Sequence, residues 1–425
     1  MKRLLKKLVP APIFDIYYRS FALLGAIIYR FPSKKLFVIA VTGTKGKSTT
    51  VELIRSILAE AGYTVAMAST IRFTVGAESE PNLFKMTMPG RFFLQKFLRR
   101  AVDAGCTHAV IEMTSEGARQ YRHKGIELDA LVFTNLQPEH IESHGSFEKY
   151  AEAKLSLAKH LEDSRKRPRY IVANGDDAYG PRFLDINIEV KEAFRLADAE
   201  PYNTDDASVR FVWKSGELFT VPLPGVFNLR NILAALTLSS VMGIPMKAVK
   251  RALEHQEPIA GRAERVPGTQ PFLVVVDYAH TPDSLRALYE AYRKEHRIIG
   301  VLGSTGGGRD TWKRAEMGKI ADEFCDVAIL TNEDPYDEDP QKILNELAKG
   351  FSRKKPHMIL NRHAAIREAF REAKAGDAVL ITGKGTDPYI MGPKGTKEVW
   401  SDKKVAAEEL AKLGFGAAAK KAKSK

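Results

Sequence analysis

The residues best suited to chemistry lie in Val41-Thr-Gly-Thr-Lys-Gly-Lys-Ser-Thr-Thr50, a glycine-punctuated turn between the apolar run Leu36 to Val41 and a segment of helical spacing that starts near Ser48. Strand, turn and helix together aim unpaired backbone N–H groups and the positive end of a helix dipole at one point, which suits a polyphosphate. Gly43, Thr44, Lys45 and Gly46 would form the cradle, and Lys47 would add a point charge for the outer phosphates. Ser48 and Thr49 open the helix, with the Ser48 hydroxyl able to ligate Mg²⁺. Only Thr44 and Lys45 separate Gly43 from Gly46-Lys47-Ser48, so the loop is shorter than the commonest P-loop. Context identifies it as a phosphate site: a β-rich apolar run before it, and Val51-Glu-Leu-Ile-Arg-Ser-Ile-Leu58 at helical spacing after it.

Other reactive residue types cluster after later apolar runs. Glu112 ends one run, and His140 follows another within Thr134-Asn-Leu-Gln-Pro-Glu-His140. A carboxylate and an imidazole at such strand ends can hold a second Mg²⁺ and neutralise charge developing during phosphoryl transfer; a capping or core role is the plainer alternative. Asn228 and Asn231, three apart on one helical face, can offer amides to a base or ribose. Arg309, just after the Gly303 to Gly308 loop, could stabilise a transferring phosphoryl group or bind an anionic substrate. Lys154, His144 and His280 read singly as ordinary polar residues, and Cys106 and Cys325 as buried hydrophobes.

The elements that must position these groups alternate as apolar strands and amphipathic helices, the pattern of an α/β fold with a mostly parallel sheet. Strands are expected at Leu36 to Val41, His108 to Met113, Ala130 to Thr134 and Tyr170 to Ala173. The polar residues follow their carboxyl ends, where open α/β sheets bind ligands. Pro and Gly around Glu257 to Glu264 mark a linker, so we expect one doubly wound α/β domain over 36–260 and a second α/β unit over 261–415. Strands of the second are expected at Phe272 to Val276, Arg297 to Leu302, Asp326 to Thr331 and Ala378 to Thr382. Read from the residues alone, this is a two-domain ATP-using enzyme with a cleft between its domains.

The net charge of +13 is uneven. Residues 1–35 hold eight Lys/Arg against Asp15, and the tail from Phe415 holds four lysines and no acid, which leaves +2 for the body. A nearly neutral body argues against a nucleic-acid partner. The apolar stretch Phe21 to Tyr29 lies between Arg19 and Arg30 and is too short to span a bilayer. Residues 1–35 are expected to form a basic amphipathic helix, either on an anionic membrane surface or docked on protein. Residues 416–425 are expected to be a disordered basic tail. Two distant cysteines without metal-like spacing fit reduced thiols in a cytoplasmic protein, working at the inner face of the membrane if the segment binds there.

Thr42-Gly-Thr-Lys-Gly-Lys-Ser-Thr49, Thr87-Met-Pro89, Ile111-Glu-Met-Thr-Ser115, Phe133 to His140, His144-Gly145, Tyr150-Ala-Glu-Ala-Lys154, Asn228 with Asn231, Gly261-Arg262, Asp277-Tyr-Ala-His-Thr-Pro-Asp283 and Gly383-Lys-Gly385 occur in the order of the Mur ligases. The chain resembles this family from about Leu36 to about Leu410, and most closely its tripeptide synthetases, which add the third amino acid of the peptidoglycan stem. The resemblance implies a P-loop central ATPase domain over 36–260 with a mostly parallel sheet, followed by a Rossmann-like carboxyl-terminal domain over 261–415. The resemblance implies phosphorylation of a peptide carboxylate by ATP, then attack of an amino group on the acyl phosphate with release of ADP and phosphate. It implies that Lys47 contacts the outer phosphates and Ser48 one Mg²⁺, while Glu112, His140 and a carbamylated Lys154 hold the other. Asn228, Asn231, Arg262, Asp277 and His280 would hold the nucleotide, and Thr87, Thr114, Ser115 and Arg122 the muramyl-peptide substrate. Arg309, Asp334, Tyr336, Gly383 and Asp387 are carried over as residues around the incoming amino acid.

The chain departs from the family in several places. Glu116 follows the Thr-Ser pair where His is common, and Glu139 precedes His140 where Asp is usual. About 35 residues precede the first strand, so the family's amino-terminal domain for UDP is expected to be missing. The Asp-Asn-Pro-Arg motif for meso-diaminopimelate reads Glu333-Asp-Pro-Tyr336. Two alternatives remain: a related ligase acting on a folate, poly-glutamate or lipid-linked cell-wall precursor, and a non-catalytic nucleotide-binding scaffold at the membrane.

Overall fold

The structure is a computed structural model that describes residues 11–139, 141–308 and 310–416. His140, Arg309 and the tail from 417 onward lie outside the described residues, as do the first ten. The chain forms two units: Met1–Tyr202 with Arg210–Val221 and Phe227–Gln256, and Asn203–Val209 with Pro222–Val226 and Glu257–Lys425.

The first unit begins with helix α1 (Ala11–Ile28) and the strand β1 (Phe37–Thr42), then α2 (Lys47–Glu60). Next come β2 (Val65–Ala68), β3 (Arg72–Val75), β4 (Glu78–Pro81), α3 (Arg91–Asp103), β5 (His108–Glu112) and α4 (Ser115–Arg119). After β6 (Ala130–Phe133) the chain forms α5 (Ile141–His144), α6 (Phe147–Glu162), β7 (Tyr170–Asn174), α7 (Gly180–Leu184) and β8 (Val190–Phe194). The eight strands run in the order β4-β3-β2-β5-β1-β6-β7-β8. All neighbours are parallel except β2 with β3 and β3 with β4. Strands covered on both faces read as continuous apolar runs, which is why β1, β5 and β6 were legible as Phe-Val-Ile-Ala-Val, His-Ala-Val-Ile and Ala-Leu-Val-Phe. The central strand β1 lies between β5 and β6, with Val41 level with Glu112 and Thr42 level with Phe133. That register brings the carboxyl ends of three strands to the glycine turn.

The strands β2, β3, β4 and β8 were not expected. The first three have four residues each, and β4 (Glu-Ser-Glu-Pro) is exposed throughout, so neither length nor alternation marks it. It is held by pairing to β3 and by Arg100, which bonds Glu78 at 2.6 Å and Glu80 at 2.9 Å. Three more short strands, β9 (Tyr202–Thr204), β10 (Val209–Val212) and β11 (Leu218–Val221), precede α8 (Val226–Val241) and α9 (Met246–Glu254). Through this stretch the chain passes from one unit to the other five times.

The second unit is a six-stranded sheet in the order β12-β13-β17-β14-β15-β16. Its strands are β12 (Glu264–Arg265), β13 (Leu273–Asp277), β14 (Ile298–Leu302), β15 (Val327–Leu330), β16 (His357–Met358) and β17 (Ala378–Thr382). Only β12 is antiparallel to its neighbour. Val274, Val276, Ile299, Val301, Ile329, Val379 and Ile381 form one face of its core, covered by Ile366 and Phe370. Cys106 and Cys325 are both free and buried, as expected of small hydrophobes.

Candidate functional site

The turn after β1 is built around two glycines that accept no side chain. Gly46 has φ 81°, and a Cβ there would lie 2.1 Å from Asn231 Oδ1; at Gly43 it would lie 2.0 Å from Thr134 Oγ1. A left-handed backbone and the absence of space both exclude other residues. Neighbouring strand ends hold the turn. Thr44 N–H donates to Asn135 O (2.8 Å), Lys45 N–H to Asn135 Oδ1 (2.9 Å), and Thr134 Oγ1 to Lys45 O (2.6 Å). Thr44 Oγ1 meets the Tyr150 hydroxyl at 2.9 Å. Ser48 and Thr49 lie buried in the first turn of α2, where the helix N–H groups point out of its end.

Cations converge on this turn. Lys47 Nζ donates to Gly43 O (3.0 Å) and Thr44 O (2.9 Å), and Lys154 Nζ, fully buried on α6, donates to the same Gly43 O at 2.6 Å. Lys45 pairs with Glu139 at 3.2 Å. Burial, and then the neighbouring Lys47 charge, push the Lys154 ammonium well below the usual lysine range. Glu112, fully buried at the end of β5, accepts at both oxygens: from Thr70 N–H and from Thr70 Oγ1, each at 2.9 Å. Thr70 Oγ1 in turn meets Thr87 Oγ1 at 2.8 Å. The structure thus brings Glu112 and Thr87 together through Thr70, which sequence reasoning missed because Ser69-Thr70 sits between two short strands without periodic signal. Tyr150, Thr134 and Asn135 were inside the recognised motifs but had no assigned task.

The remaining candidates of this unit are also placed. Thr114 caps α4 by accepting from Gly117 N–H at 3.1 Å, Ser115 is buried, and Arg122 bonds Met88 O and Gln120 Oε1. Asn228 and Asn231 are buried in the first turns of α8, with Asn231 Nδ2 3.4 Å from Asn228 Oδ1.

In the second unit, Arg262 lies over the Tyr278 ring at 4.7 Å, and His280 Nδ1 is 2.6 Å from Tyr278 O. Asp277 fixes the backbone by accepting from Ala263 N–H (2.7 Å) and Ala279 N–H (2.6 Å). A separate acidic cluster surrounds Lys384, whose Nζ is 2.9 Å from Asp334 and 3.1 Å from Asp387. Asp334 also accepts from Met391 N–H at 2.8 Å, and Tyr336, at φ 53°, donates its N–H to Met391 O at 3.0 Å. A Cβ at Gly383 would lie 2.5 Å from Glu333 Oε2. Burial and the adjacent Asp334 raise the Glu333 carboxyl above its ordinary range.

The donor set around the first turn fits a nucleotide and its metal. Hydroxyl and carboxylate oxygens at Ser48 and Glu112 are the hard ligands Mg²⁺ takes. The cradle is one a Cβ would fill, and Thr42 Oγ1, buried beside it, has no partner among the described residues.

Residues 41–239 match the profile of the Mur ligase middle domain, and residues 261–385 match that of the Mur ligase, glutamate ligase domain. A UDP-N-acetylmuramyl-tripeptide synthetase of Roseiflexus is 35% identical over 96% of this chain and 85% of its own length. The chain belongs to the Mur ligase family. As a Mur ligase it is an ATP-dependent, ADP-forming amide ligase. Another relative, the UDP-N-acetylmuramoyl-L-alanyl-D-glutamate--2,6-diaminopimelate ligase of Gloeobacter violaceus, is 37% identical over 92% of this Mur ligase and 80% of its own length. A solved ligase of that same name superposes with TM-score 0.60 at 29% identity, covering 89% of this chain and 79% of the other. The folylpolyglutamate synthase of Mycobacterium tuberculosis, at 16% identity and TM-score 0.66 over 84% of this chain and 90% of its own, shares the fold.

Proposed function

We propose that the protein joins a diamino acid to the free carboxylate of a muramyl dipeptide in peptidoglycan precursor synthesis, in the cytoplasm where ATP is available. The observation that carries this reading is the glycine turn with Lys47 and Lys154 gathered on Gly43 O and Glu112 oriented at the end of the adjacent strand. The printed names of the Roseiflexus and Gloeobacter relatives supply the substrate class.

In this reading the N–H groups of the turn and Lys47 hold the outer phosphates of ATP. A carboxylate oxygen of the dipeptide attacks the γ-phosphorus, and the bond from that phosphorus to the ADP oxygen breaks. The amino group of the incoming amino acid then attacks the acyl carbon, and phosphate leaves as the amide forms and the amine gives up a proton. Ser48 would hold one Mg²⁺, and Glu112, His140 and Lys154 the other; the ions supply neutralisation of charge on the transferring group. Thr70 fixes the Glu112 carboxylate for that task. Lys154 suits it only as an anion. Its neutral amine can add CO₂, forming an N–C bond and releasing one proton, which turns a cation beside Lys45 and Lys47 into a carbamate ligand.

Thr87, Thr114, Ser115 and Arg122 are assigned to the dipeptide, and Asn228, Asn231, Arg262, Asp277 and His280 to the nucleotide. Arg309, Asp334, Tyr336, Gly383 and Asp387 are assigned to the amino acid. The test is ADP release by purified protein against muramyl dipeptides, with and without UDP, combined with a panel of amino acids. ADP that depends on both substrates, with a product of their combined mass less water, supports the reading. ADP formed with folate and glutamate instead, or with neither acceptor, overturns it.

A further inference from the structure

The helix α1 presents its residues in the reverse of the usual order for a surface helix. Its docked side is made of small residues: Ala22 and Ala26 are fully covered. Gly25 lies against α3, where a Cβ would meet Gln95 Cγ at 3.6 Å and Phe92 Cα at 3.7 Å. From another side Gly125 comes so near that a Cβ there would sit 2.8 Å from Ala26 Cβ. The charge of Arg19 is drawn to the protein as well, donating to the Tyr121 hydroxyl at 3.2 Å and lying over its ring. On the outer side Ile16, Phe21, Leu23, Leu24, Ile27 and Ile28 are 65, 39, 52, 45, 53 and 54% exposed. At 3.6 residues per turn these fall, with Ile13, Tyr17 and Ser20, in one stripe about 160° wide that contains no charge. Helices on soluble proteins put the apolar stripe against the core, and soluble monomers seldom expose a contiguous apolar patch of this extent.

We propose that α1 lies flat in the surface of an anionic lipid bilayer, seated by this stripe. The charges flanking it select the partner. Lys2, Arg3, Lys6 and Lys7 precede the helix in sequence, and Arg30, Lys34 and Lys35 follow it, the last three exposed. A second copy of the chain, set face to face on the same stripe, would bring the same cations against themselves; anionic headgroups complement them. Tyr17, on the stripe and 49% exposed, supplies a ring with one polar end, suited to headgroup depth. No described helix is long and apolar enough to cross a membrane, and α1 is docked along its inner side, so it lies in the plane.

The experiment is co-sedimentation of the full chain with vesicles of phosphatidylcholine alone and of phosphatidylcholine mixed with phosphatidylglycerol. The wild-type chain should pellet with the anionic vesicles and release from them in high salt. The variant Leu24→Glu/Ile27→Glu changes two outward side chains, so its circular dichroism and its ADP-forming turnover on soluble substrates should match wild type. Its partition onto anionic vesicles should fall about tenfold or more. Negligible pelleting on both vesicles, equal pelleting on both, or an unaffected variant would each overturn the proposal. So would a wild-type dimer in analytical ultracentrifugation that the variant converts to monomer, because the stripe would then be covered by a second copy.

Discussion

Lys154 in the first unit and Lys384 in the second are both buried lysines, and they are held in opposite ways. Lys384 is neutralised where it stands, by Asp334 and Asp387, with Tyr389 O at 2.6 Å as a further acceptor. Lys154 donates to a main-chain carbonyl that Lys47 also uses, and lies 4.8 Å over the Tyr150 ring. The contrast extends beyond the pair. In the second unit Arg362 meets Asp402 through two bonds of 2.8 and 2.7 Å, and Arg314 is clasped by Glu338 and Glu346 at 2.7 and 2.6 Å. A buried cation matched by carboxylates has its charge already balanced within the protein. Lysines gathered on carbonyls at a glycine turn suit the proposed role, holding an anion that comes and goes.

The comparison is broken most directly at Lys47. Lys47→Ala should lower the rate of ADP formation by about 10²–10³ with little change in thermal stability, because the lost charge acts on the transferring phosphoryl group; near-wild-type phosphate release would remove Lys47 from the chemistry. Lys154→Ala should cost about a hundredfold and recover in part when a short-chain carboxylic acid is added, since the acid can stand where the proposed carbamate would. Mass spectrometry under native conditions should show the added CO₂ on wild type, and a bare lysine with no rescue would refute the carbamate. Arg362→Met should do the reverse, destabilising the second unit by about 3–5 kcal/mol as Asp402 is left buried and uncompensated. Hydrogen exchange resolved by segment would locate that loss.

A smaller difference should appear on acidification. Burial lowers His108 and His160 in the first unit to about 4 from an ordinary 6.5. Protons therefore bind the unfolded state more strongly, and this stability is present above about pH 6.5 and lost as pH falls toward 4. In the second unit Arg314 and Arg367 hold Glu338 and Glu409 down to about 2, so their contribution is lost only as pH falls from about 4.5 toward 2. Glu333, raised by burial, works in the opposite sense. The first unit should open at the higher pH in segment-resolved exchange; simultaneous opening would contradict this. The smallest effect concerns the incoming amino acid. In the proposed amino-acid site Tyr336 occupies the motif position of the family's arginine, Lys384 is already committed to Asp334 and Asp387, and Asp337 and Asp339 leave the neighbourhood acidic. L-lysine should be preferred over meso-diaminopimelate by about tenfold, a preference of roughly 1.4 kcal/mol. Competition at equal concentration, read by product mass, checks it.

What could be read in the sequence follows from what each element needs. The glycine turn and the strands β1, β5, β6, β13, β14, β15 and β17 were visible because long buried runs and forbidden side chains leave compositional marks. Strands such as β4 and β12 were not, since four exposed residues or two paired ones carry no period. Within the candidate site, residue types were legible but relations were not. Nothing in Ser69-Thr70 says that its hydroxyl and amide will hold Glu112, and nothing in Lys384 says that it is already neutralised. The charge of residues 1–35 was evident, yet only the structure separates the small inward face of α1 from its large outward one.

The repeated passage of the chain between the two units also sets an order of assembly. Asp206, in the segment Asn203–Val209, accepts from His296 Nε2 at 2.9 Å and pairs with Arg265 at 3.0 Å, all within the second unit. During synthesis this segment leaves the ribosome well before its partners Arg265 and His296. A cut at Gln256 would therefore not release two independent halves, because it would strand a piece of the second on the first. Residues 257–425 expressed alone should therefore lack the Asp206 anchor of Arg265 and His296 and be less stable than the same residues in the full chain.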